Sequence, residues 1–201
     1  MHHNIIFSMG HLERKLRDKE NIKNSIQKAA LDIANAEGWQ AVTIRRIAEE
    51  IEYTTSIVYG HFESKEALLS EIINTGFISL NHEFEKILSK EMDPKKQLLH
   101  LSLINWDFAL SNKELYKLMF NFGKPSNLNA IRGKDLMKEI FAKITGRNKK
   151  TIDSIVLNWI CLRRGAINMI MEFHGDELDM KKLRKLYIEF MERFISSISK
   201  T

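Results

Sequence analysis

The fold of this chain is decided by the stretch Thr43-Ile-Arg-Arg-Ile-Ala-Glu-Glu-Ile-Glu-Tyr-Thr-Thr-Ser-Ile-Val-Tyr-Gly-His-Phe-Glu-Ser-Lys65. The stretch predicts two very short helices joined by a tight turn, followed by the start of a third helix. Thr43 is a good N-cap residue for the first of them. That helix has one apolar face, because its apolar residues recur at helical spacing, at Ile44, Ile47, Ala48 and Ile51. It is expected to end near Ile51.

The second short helix follows the corner formed by Glu52 and Tyr53. Thr54 can cap this helix, and its apolar residues Val58 and Phe62 are expected to point inward. Its outward positions hold Thr55, Ser56, Tyr59 and Gly60. Small hydroxyl side chains at the exposed start of a helix are typical of a recognition helix, which meets base edges and phosphates. The stretch therefore predicts a helix-turn-helix that binds double-stranded DNA.

The composition indicates an all-α protein. The 201 residues are 44% hydrophobic, which is enough for a real core, and they include only two prolines and nine glycines. Almost no alternating pattern typical of strands occurs. We expect about nine helices in total: an N-terminal three-helix domain, a connector helix, and a larger C-terminal helical domain.

Local helix signals divide the chain into three parts. Residues 1–17 are expected to form a disordered N-terminal arm, because the first helical periodicity begins near Asp18 and continues to the stop at Gly38. Residues 18–64 are assigned to the helix-turn-helix domain. Ser64 can cap the connector helix, so residues 65–201 are assigned to the C-terminal domain. The clearest loop of that domain is expected at residues 123–127.

The single cysteine and the start of the chain bear on the compartment. Cys161 excludes an intrachain disulfide, offers no zinc-ligand spacing and lies in an apolar run, so it is expected to be a buried thiol. The first ten residues lack the basic region and the cleavage-like end of a signal peptide. No run of about 18 apolar residues occurs elsewhere. We therefore expect a cytoplasmic protein without a membrane partner.

The net charge of +5 is a weak argument for DNA binding because it does not lie in the helix-turn-helix region. Residues 1–64 hold eight Lys and Arg against nine Asp and Glu, a net charge of −1, which leaves +6 for the rest of the chain. The prediction therefore depends on where individual basic residues lie. Each of them, taken alone, could equally belong to a solvated helix face.

The helix predicted from Asp153 to Phe173 is apolar on nearly every side. A helix of this kind must be buried on every side, and in a domain this small a second copy of the protein can supply the cover. We infer a homodimer through the last two helices, packed as a four-helix bundle, in which Gly165 and Ala166 allow close approach. An ordinary central helix within one chain is the alternative.

On these residues the chain resembles the TetR/AcrR family of bacterial transcriptional regulators. The resemblance covers about residues 20–75 and is highly specific as a combination of Ala29-Ala30, Glu37-Gly38, Val42-Thr43, Arg45, Ile47-Ala48, Thr54, Val58-Tyr59, His61-Phe62, Ser64-Lys65-Glu66 and Leu68-Leu69. It implies a dimeric DNA-binding regulator of a palindromic operator. The function it favours is a repressor that a small apolar or amphipathic ligand releases from DNA.

The resemblance also implies DNA contacts. Thr43 would lie near a phosphate, and Arg45 would share its helix. The recognition helix would begin with Thr54, Thr55 and Ser56 in the major groove, and phosphates would be bound by Tyr59, His61 and Lys65. Hydroxyl, imidazole and ammonium groups are all suitable phosphate donors. Because the recognition helix lacks Arg, Asn and Gln, Arg46 is the candidate for a bidentate base contact.

Two positions depart from the family pattern. The family usually has glycine at the turn, where a left-handed backbone is needed, and this chain has Glu52. The turn is therefore bent differently, or it carries a strain of roughly 1 kcal/mol. Gly60 replaces a residue that is commonly larger, which weakens the helix by roughly 1 kcal/mol relative to alanine.

The resemblance further implies a ligand cavity in the C-terminal domain. Aromatic, methionine and polar residues of its helices are the candidates to line that cavity: Trp106, Tyr116, Met119, Phe120, Phe122, Met137, Phe141, Trp159 and Arg163. Such residues also build ordinary cores. Polar residues within apolar helices need hydrogen-bond partners when they are buried, and Asn105, Asp107, Asn158, Arg163 and Asn168 could orient a ligand.

Two alternatives concern the C-terminal domain and catalysis. The domain could bind a protein partner, or serve dimerisation alone, without a small-molecule effector. An enzyme is disfavoured, because the sequence has no Gly-rich phosphate loop and no helical pair of metal ligands. The nearest acid–base cluster, formed by His174, Asp176 and Glu177, is better explained as a loop. No metal or cofactor is expected.

Overall fold

The computed structural model describes residues 2–122, 127–148, 152–172 and 179–198. These residues form nine α-helices and no strand, which confirms the all-α prediction. The helices are α1 (His2–Glu37), α2 (Ile44–Glu50), α3 (Thr55–His61), α4 (Lys65–Leu88), α5 (Pro94–Ser111), α6 (Lys113–Lys117), α7 (Leu128–Thr145), α8 (Asp153–Glu172) and α9 (Met180–Ile198). A π-helical turn, Leu118–Phe122, follows α6. The predicted loop residues 123–126, the cluster at 174–177 and the side chain of Phe122 lie outside the described part.

The chain divides into two compact units, Met1–Ile72 and Ile73–Thr201. The division falls inside α4, eight residues after the boundary expected from the sequence. Its cause is burial, because Leu68 and Ile72 in the first turns of α4 are 0% and 2% exposed. These turns therefore contribute to the hydrophobic core of the first unit.

Helix α1 is longer than the sequence analysis predicts. It begins at His2, so the residues expected to form a disordered arm are helical in the structure. The run Leu12-Glu-Arg-Lys-Leu-Arg-Asp-Lys19 explains the difference, because it contains no proline or glycine and is rich in good helix formers. Side chains 13–17 are exposed, so packing contributes little to this extension. The helix ends at Gly38, whose φ of 84° provides the expected stop.

Helix caps in the second unit follow the sequence closely. Asp93 caps α5 by accepting hydrogen bonds from the backbone N–H groups of Lys95 and Lys96 at 2.9 and 3.1 Å, and Pro94 occupies its first turn. Asn127 caps α7 in the same way. Gly146 ends α7 with a left-handed φ of 63°. These local signals place helix ends correctly even where the packing partners lie far away in sequence.

Helix α8 buries only one side within the chain. Its inward face contains Val156, Trp159, Arg163, Ile167 and Ile170, whereas its outward face leaves Leu157 and Met169 each 57% exposed. Among the described residues, α8 is therefore not a central helix that is covered on every side, as the alternative would require. The expectation of a buried Cys161 is also wrong, because the thiol lies on the outward face. None of the described helices is both long and apolar enough to cross a membrane.

Candidate DNA interface and ligand cavity

The turn between α2 and α3 is built by the residues that the sequence predicts. The Thr43 hydroxyl accepts a hydrogen bond from the Arg46 backbone N–H at 3.2 Å, so Thr43 caps α2. The Tyr53 backbone N–H donates to the Ala48 carbonyl at 2.9 Å and closes the corner. Glu52, the residue before Tyr53, has a φ of 58°. Of the two alternatives for this turn, the left-handed conformation with its strain of about 1 kcal/mol is the one observed.

Helix α3 presents a polar face to solvent. Val58 and Phe62 anchor it to the core at 0% and 5% exposure, while Tyr59 is 54% exposed. The exposed side also carries Thr54, Thr55, Ser56, Ile57 and Gly60. Thr54 occupies the N-cap position without a capping hydrogen bond from its side chain, so that hydroxyl makes no helix-capping contact within the described chain. Every residue from 54 to 60 except the buried Val58 is therefore exposed, and we call this exposed side of the helix the α3 surface.

The two arginines of α2 are engaged in ion pairs. Arg46 forms a two-pronged ion pair with Glu37 at the end of α1, and Arg45 pairs with Glu49 one turn along α2 at 2.9 Å. The hydrogen bond between Arg46 and Glu37 lowers the pKa of Glu37 and raises that of Arg46. Hydrogen bonding to Glu49 also raises the pKa of Arg45. Arg46, the candidate for a bidentate base contact, must therefore leave Glu37 before it can use its fork on DNA.

Two basic residues lie at the end of α3 and the start of α4. His61 is half-buried in the last turn of α3, and Lys65 is half-buried in the first turn of α4. The Lys65 ammonium donates to the Trp39 carbonyl at 3.4 Å. An ammonium has three donors, so two remain for other acceptors. Ser64 caps α4 by accepting from the Ala67 backbone N–H at 3.1 Å, as predicted.

A cavity of about 380 Å³ lies in the second unit. Five of the residues expected to bind a ligand line it, namely Met119, Phe120, Met137, Trp159 and Arg163. The π-helical turn positions the first two of them, and π-helical turns are frequent at functional sites. The other described lining residues are Phe77, Leu80, Asn81, Phe84, Asn105, Ala130, Gly133, Lys134, Ile160 and Arg164.

Three predicted lining residues lie in the packed core instead. Trp106, Tyr116 and Phe141 are at most 2% exposed and do not line the cavity. Their rings are occupied by ring–ring contacts, with centroids 4.7 Å from Tyr187, 4.5 Å from Phe120 and 5.9 Å from Trp159 respectively. Helix α4 also lines the cavity, although its apolar stripe predicts only a connector helix.

The polar end of the cavity is built around Arg163, which is 4% exposed. Its guanidinium donates to the Asn105 side-chain oxygen and lies 4.8 Å from the centre of the Trp159 ring and 5.8 Å from that of Phe120. Its Nε is buried and has no hydrogen-bond partner among the residues that the structure describes. Arg164, the next residue, donates to the Phe120 carbonyl at 2.6 Å. Of the other polar candidates, Asp107 and Asn158 are exposed and Asn168 is half-buried.

A buried polar cluster joins α5, α8 and α9 beside this cavity. The Ser102 hydroxyl accepts from the Trp159 indole N–H at 3.1 Å, and the Ser102 carbonyl accepts from the Tyr187 hydroxyl at 3.1 Å. Burial raises the pKa of Tyr187, against a smaller lowering influence of the Arg163 charge. Ser102 lies one turn before Asn105 on α5. Through its hydrogen bonds to Ser102 of α5, the cluster therefore links α8, which holds Arg163, to α9.

The outer sides of α8 and α9 enclose an apolar groove of about 590 Å³. Leu186 and Phe190 on α9 are 51% and 37% exposed, and Cys161 and Met169 line the groove from α8. A Cβ atom added to Gly165 would meet no described atom within 4 Å. Exposed apolar surface of this extent is typical of an interaction site. We call it the α8–α9 face.

Comparisons with known proteins bear on both regions. Residues 26–72 match the family model described as bacterial regulatory proteins, tetR family. The curated relatives include an HTH-type transcriptional repressor, NicS, of Pseudomonas putida, with 22% identity over 61% of this chain and 58% of the relative. A nucleoid occlusion factor, SlmA, of Edwardsiella ictaluri is 22% identical over 68% of this chain and 71% of its own length.

A solved structure of a TetR protein from Acinetobacter baumannii in complex with minocycline is also similar. It has a TM-score of 0.67 and 18% identity, and the similarity covers 86% of this chain and 93% of that one. The TM-score establishes a shared fold, and at 18% identity the similarity shows the fold alone. Together with the match at residues 26–72, it confirms the resemblance found in the sequence.

Proposed function

We propose that this TetR-family chain is a cytoplasmic transcriptional repressor that binds a palindromic operator as a homodimer and leaves it when a small ligand binds. The observation that carries the proposal concerns helix α3, which lies inside the matched residues. The α3 surface presents exposed hydroxyl groups, and the other side of the helix supplies a buried apolar anchor. A recognition helix needs this combination, since its inner side must hold it rigidly while its outer side meets DNA.

Phosphate binding accounts for most of the expected affinity. Tyr59, His61 and Lys65 can donate hydrogen bonds to phosphates around the recognition helix, and Thr43 and Arg45 can do so from α2. Thr55 and Ser56 are candidates to contact bases. Hydroxyl groups discriminate bases less strongly than a bidentate arginine or amide side chain does. We therefore expect an operator contact that is dominated by the DNA backbone.

Salt dependence of operator binding tests these contacts. Lys65→Ala is expected to weaken binding and to reduce the slope of log affinity against log salt by about 0.9, because one phosphate contact is lost. Tyr59→Phe is expected to weaken binding without that change of slope, since the lost hydroxyl is neutral. Lys90→Ala, an exposed lysine in the second unit, is the matched control. Unchanged affinity and slope for Lys65→Ala would exclude this contact assignment.

Dimerisation is supported by the α8–α9 face. A two-fold dimer brings the same patch of each copy together, and Leu186, Phe190 and Met169 would be covered in such an arrangement. Met169→Glu is expected to give a monomer in sedimentation or light scattering while the helical content is retained. Leu128→Glu is the control, because Leu128 is 80% exposed on α7 outside this face. A Met169→Glu protein that remains dimeric would contradict the proposal.

The cavity supports control by a ligand, and the similar structure from Acinetobacter baumannii is a complex with the small molecule minocycline. The alternative is a second unit that binds a protein partner or serves only dimerisation, which the similarity to a nucleoid occlusion factor favours. A thermal-shift screen of small molecules separates the two. A ligand at about 100 times its dissociation constant adds about 2.7 kcal/mol of stability, whereas a unit without a ligand site shows no such shift.

A further inference from the structure

Arg163 is a buried cation without a buried anion beside it. The side chain is 4% exposed, and among the residues that the structure describes no carboxylate forms an ion pair with it. Its hydrogen-bond partner, Asn105, is neutral. Buried charges in proteins are normally paired with an opposite charge or bound to a ligand. The charge of Arg163 therefore needs an explanation.

Local contacts offset only part of the cost of burying this charge. The two aromatic rings at 4.8 and 5.8 Å and the Asn105 oxygen stabilise the guanidinium. Arg163 nevertheless keeps one buried donor, Nε, for which the described part of the chain supplies no acceptor. An uncompensated buried ion costs more than such contacts return, so the site is better satisfied with an anion bound than without one.

The surroundings of Arg163 have the same sign of charge. Lys134 and Arg164 also line the cavity, and its described lining includes no Asp or Glu. Lys134 forms an ion pair outside the lining, where the Asp153 carboxylate lies 3.5 Å from the Lys134 ammonium and 2.8 Å from that of Lys138. Asp153 is half-exposed outside the lining, so it does not neutralise the charge inside. The cavity thus has a cationic end and no acid in its described lining to balance it.

We propose that this cavity binds a small carboxylate with an apolar body, whose anionic group pairs with Arg163. The inference rests on the proposed ligand-controlled repressor and names the chemical class of its effector. A carboxylate is planar and matches the fork of a guanidinium, so it can accept hydrogen bonds from two donors at once. A monoanion also equals the single charge that is buried at this end of the cavity, that of Arg163.

The remaining lining sets the size and the character of the ligand body. Phe77, Leu80, Phe84 and Ile160 contribute apolar walls. A volume of about 380 Å³ lies at the small end of ligand pockets and holds roughly a dozen water-sized groups. Hexanoate, benzoate and phenylacetate match this size, with a charged end for Arg163 and a hydrocarbon end for the aromatic wall.

Binding by the purified full-length protein, measured by calorimetry without DNA, tests the proposal. The probes are hexanoate, benzoate and phenylacetate, each against its neutral amide, at pH 7, where the acids are ionised. At least one carboxylate is expected to bind at least tenfold more tightly than its amide. The proposal would be overturned if every acid that binds were matched in affinity by its amide, and also if none of the three carboxylates bound.

Two variants of Arg163 locate the charge preference. Arg163→Met is expected to abolish the difference between acid and amide, while Arg163→Lys is expected to keep the preference and lose about tenfold in affinity, because an ammonium lacks the fork. Arg147→Met, an exposed arginine outside the cavity, is the control and is expected to bind as the wild-type protein does. Retention of the full acid preference in Arg163→Met would assign the anion to another site and refute the proposal.

A DNA-release assay separates this inference from the proposed function. Carboxylates that bind in calorimetry and displace operator DNA support both. Carboxylates that bind and leave DNA binding unchanged support the ligand class and refute ligand-controlled release. A protein that binds no DNA but still prefers acids over amides refutes the repressor while the assignment of the cavity stands.

Discussion

Two arginines, one in each unit, illustrate how differently the two regions are built. Arg46 lies at the surface and pairs with the carboxylate of Glu37, whereas Arg163 is buried and pairs with the neutral Asn105. The exposed pair can open at little cost, because water and salt replace the partner. The buried cation has no such replacement. The DNA-binding region is therefore arranged for exchange of partners, and the cavity is arranged to retain an anion.

The largest effect is expected from Asn105→Leu in the cavity. This change removes the side-chain oxygen that accepts from Arg163 and leaves the charge buried among apolar groups, so the free energy of unfolding is expected to fall by about 3 kcal/mol. Urea denaturation measures it. Arg163→Met in the same background removes the charge and is expected to restore most of the loss. A tolerated Asn105→Leu would contradict the burial of an uncompensated guanidinium.

The same substitution, glycine to alanine, is expected to act in opposite directions in the two regions. A Cβ atom on Gly76 would lie 2.5 Å from the Met119 sulfur, so Gly76→Ala is expected to cost about 1–2 kcal/mol through overpacking. A Cβ atom on Gly60 meets no described atom within 4 Å, so Gly60→Ala is expected to stabilise the protein by up to about 1 kcal/mol. Thermal unfolding of both variants tests the difference, and equal shifts would contradict it.

A smaller effect is expected at the turn of the DNA-binding region. Glu52→Gly relieves a left-handed backbone at φ 58° and is expected to stabilise the protein by about 1 kcal/mol. Gly38→Ala, at φ 84°, is the reverse control and is expected to be destabilising by a similar amount. Denaturant midpoints measured for the pair test the assignment of strain. A destabilised Glu52→Gly would show that this side chain makes a contact that outweighs the strain.

The smallest change in stability is expected for Glu37→Gln, which weakens an exposed ion pair. Its effect is expected in DNA binding, because the freed Arg46 can reach a phosphate or a base. The slope of log affinity against log salt is then expected to rise by up to about 0.9. Glu49→Gln, which frees Arg45 in the same manner, is the comparison. An unchanged slope together with an unchanged affinity in Glu37→Gln would exclude Arg46 from the DNA contact.

The accuracy of the sequence analysis depended on the range of the interaction. The caps at Thr43 and Ser64 and the stop at Gly38 are confirmed, since each depends on residues within one helical turn. The turn at Glu52 also depends on local residues, and the left-handed conformation observed there is one of the two alternatives that the sequence predicts. The cavity was predicted less well, because its lining comes from α4, α5, the π-helical turn, α7 and α8.

The sequence by itself determined the helix-turn-helix and the all-α fold, because capping groups, apolar periodicity and glycine stops act over a few residues. Tertiary structure alone decided that Trp106, Tyr116 and Phe141 are core residues, that Cys161 is exposed, and that Arg46 pairs with Glu37. It also decided that Arg163 is a buried cation beside a cavity. Burial and ion pairing depend on which distant segments meet, and no local pattern in the chain specifies that.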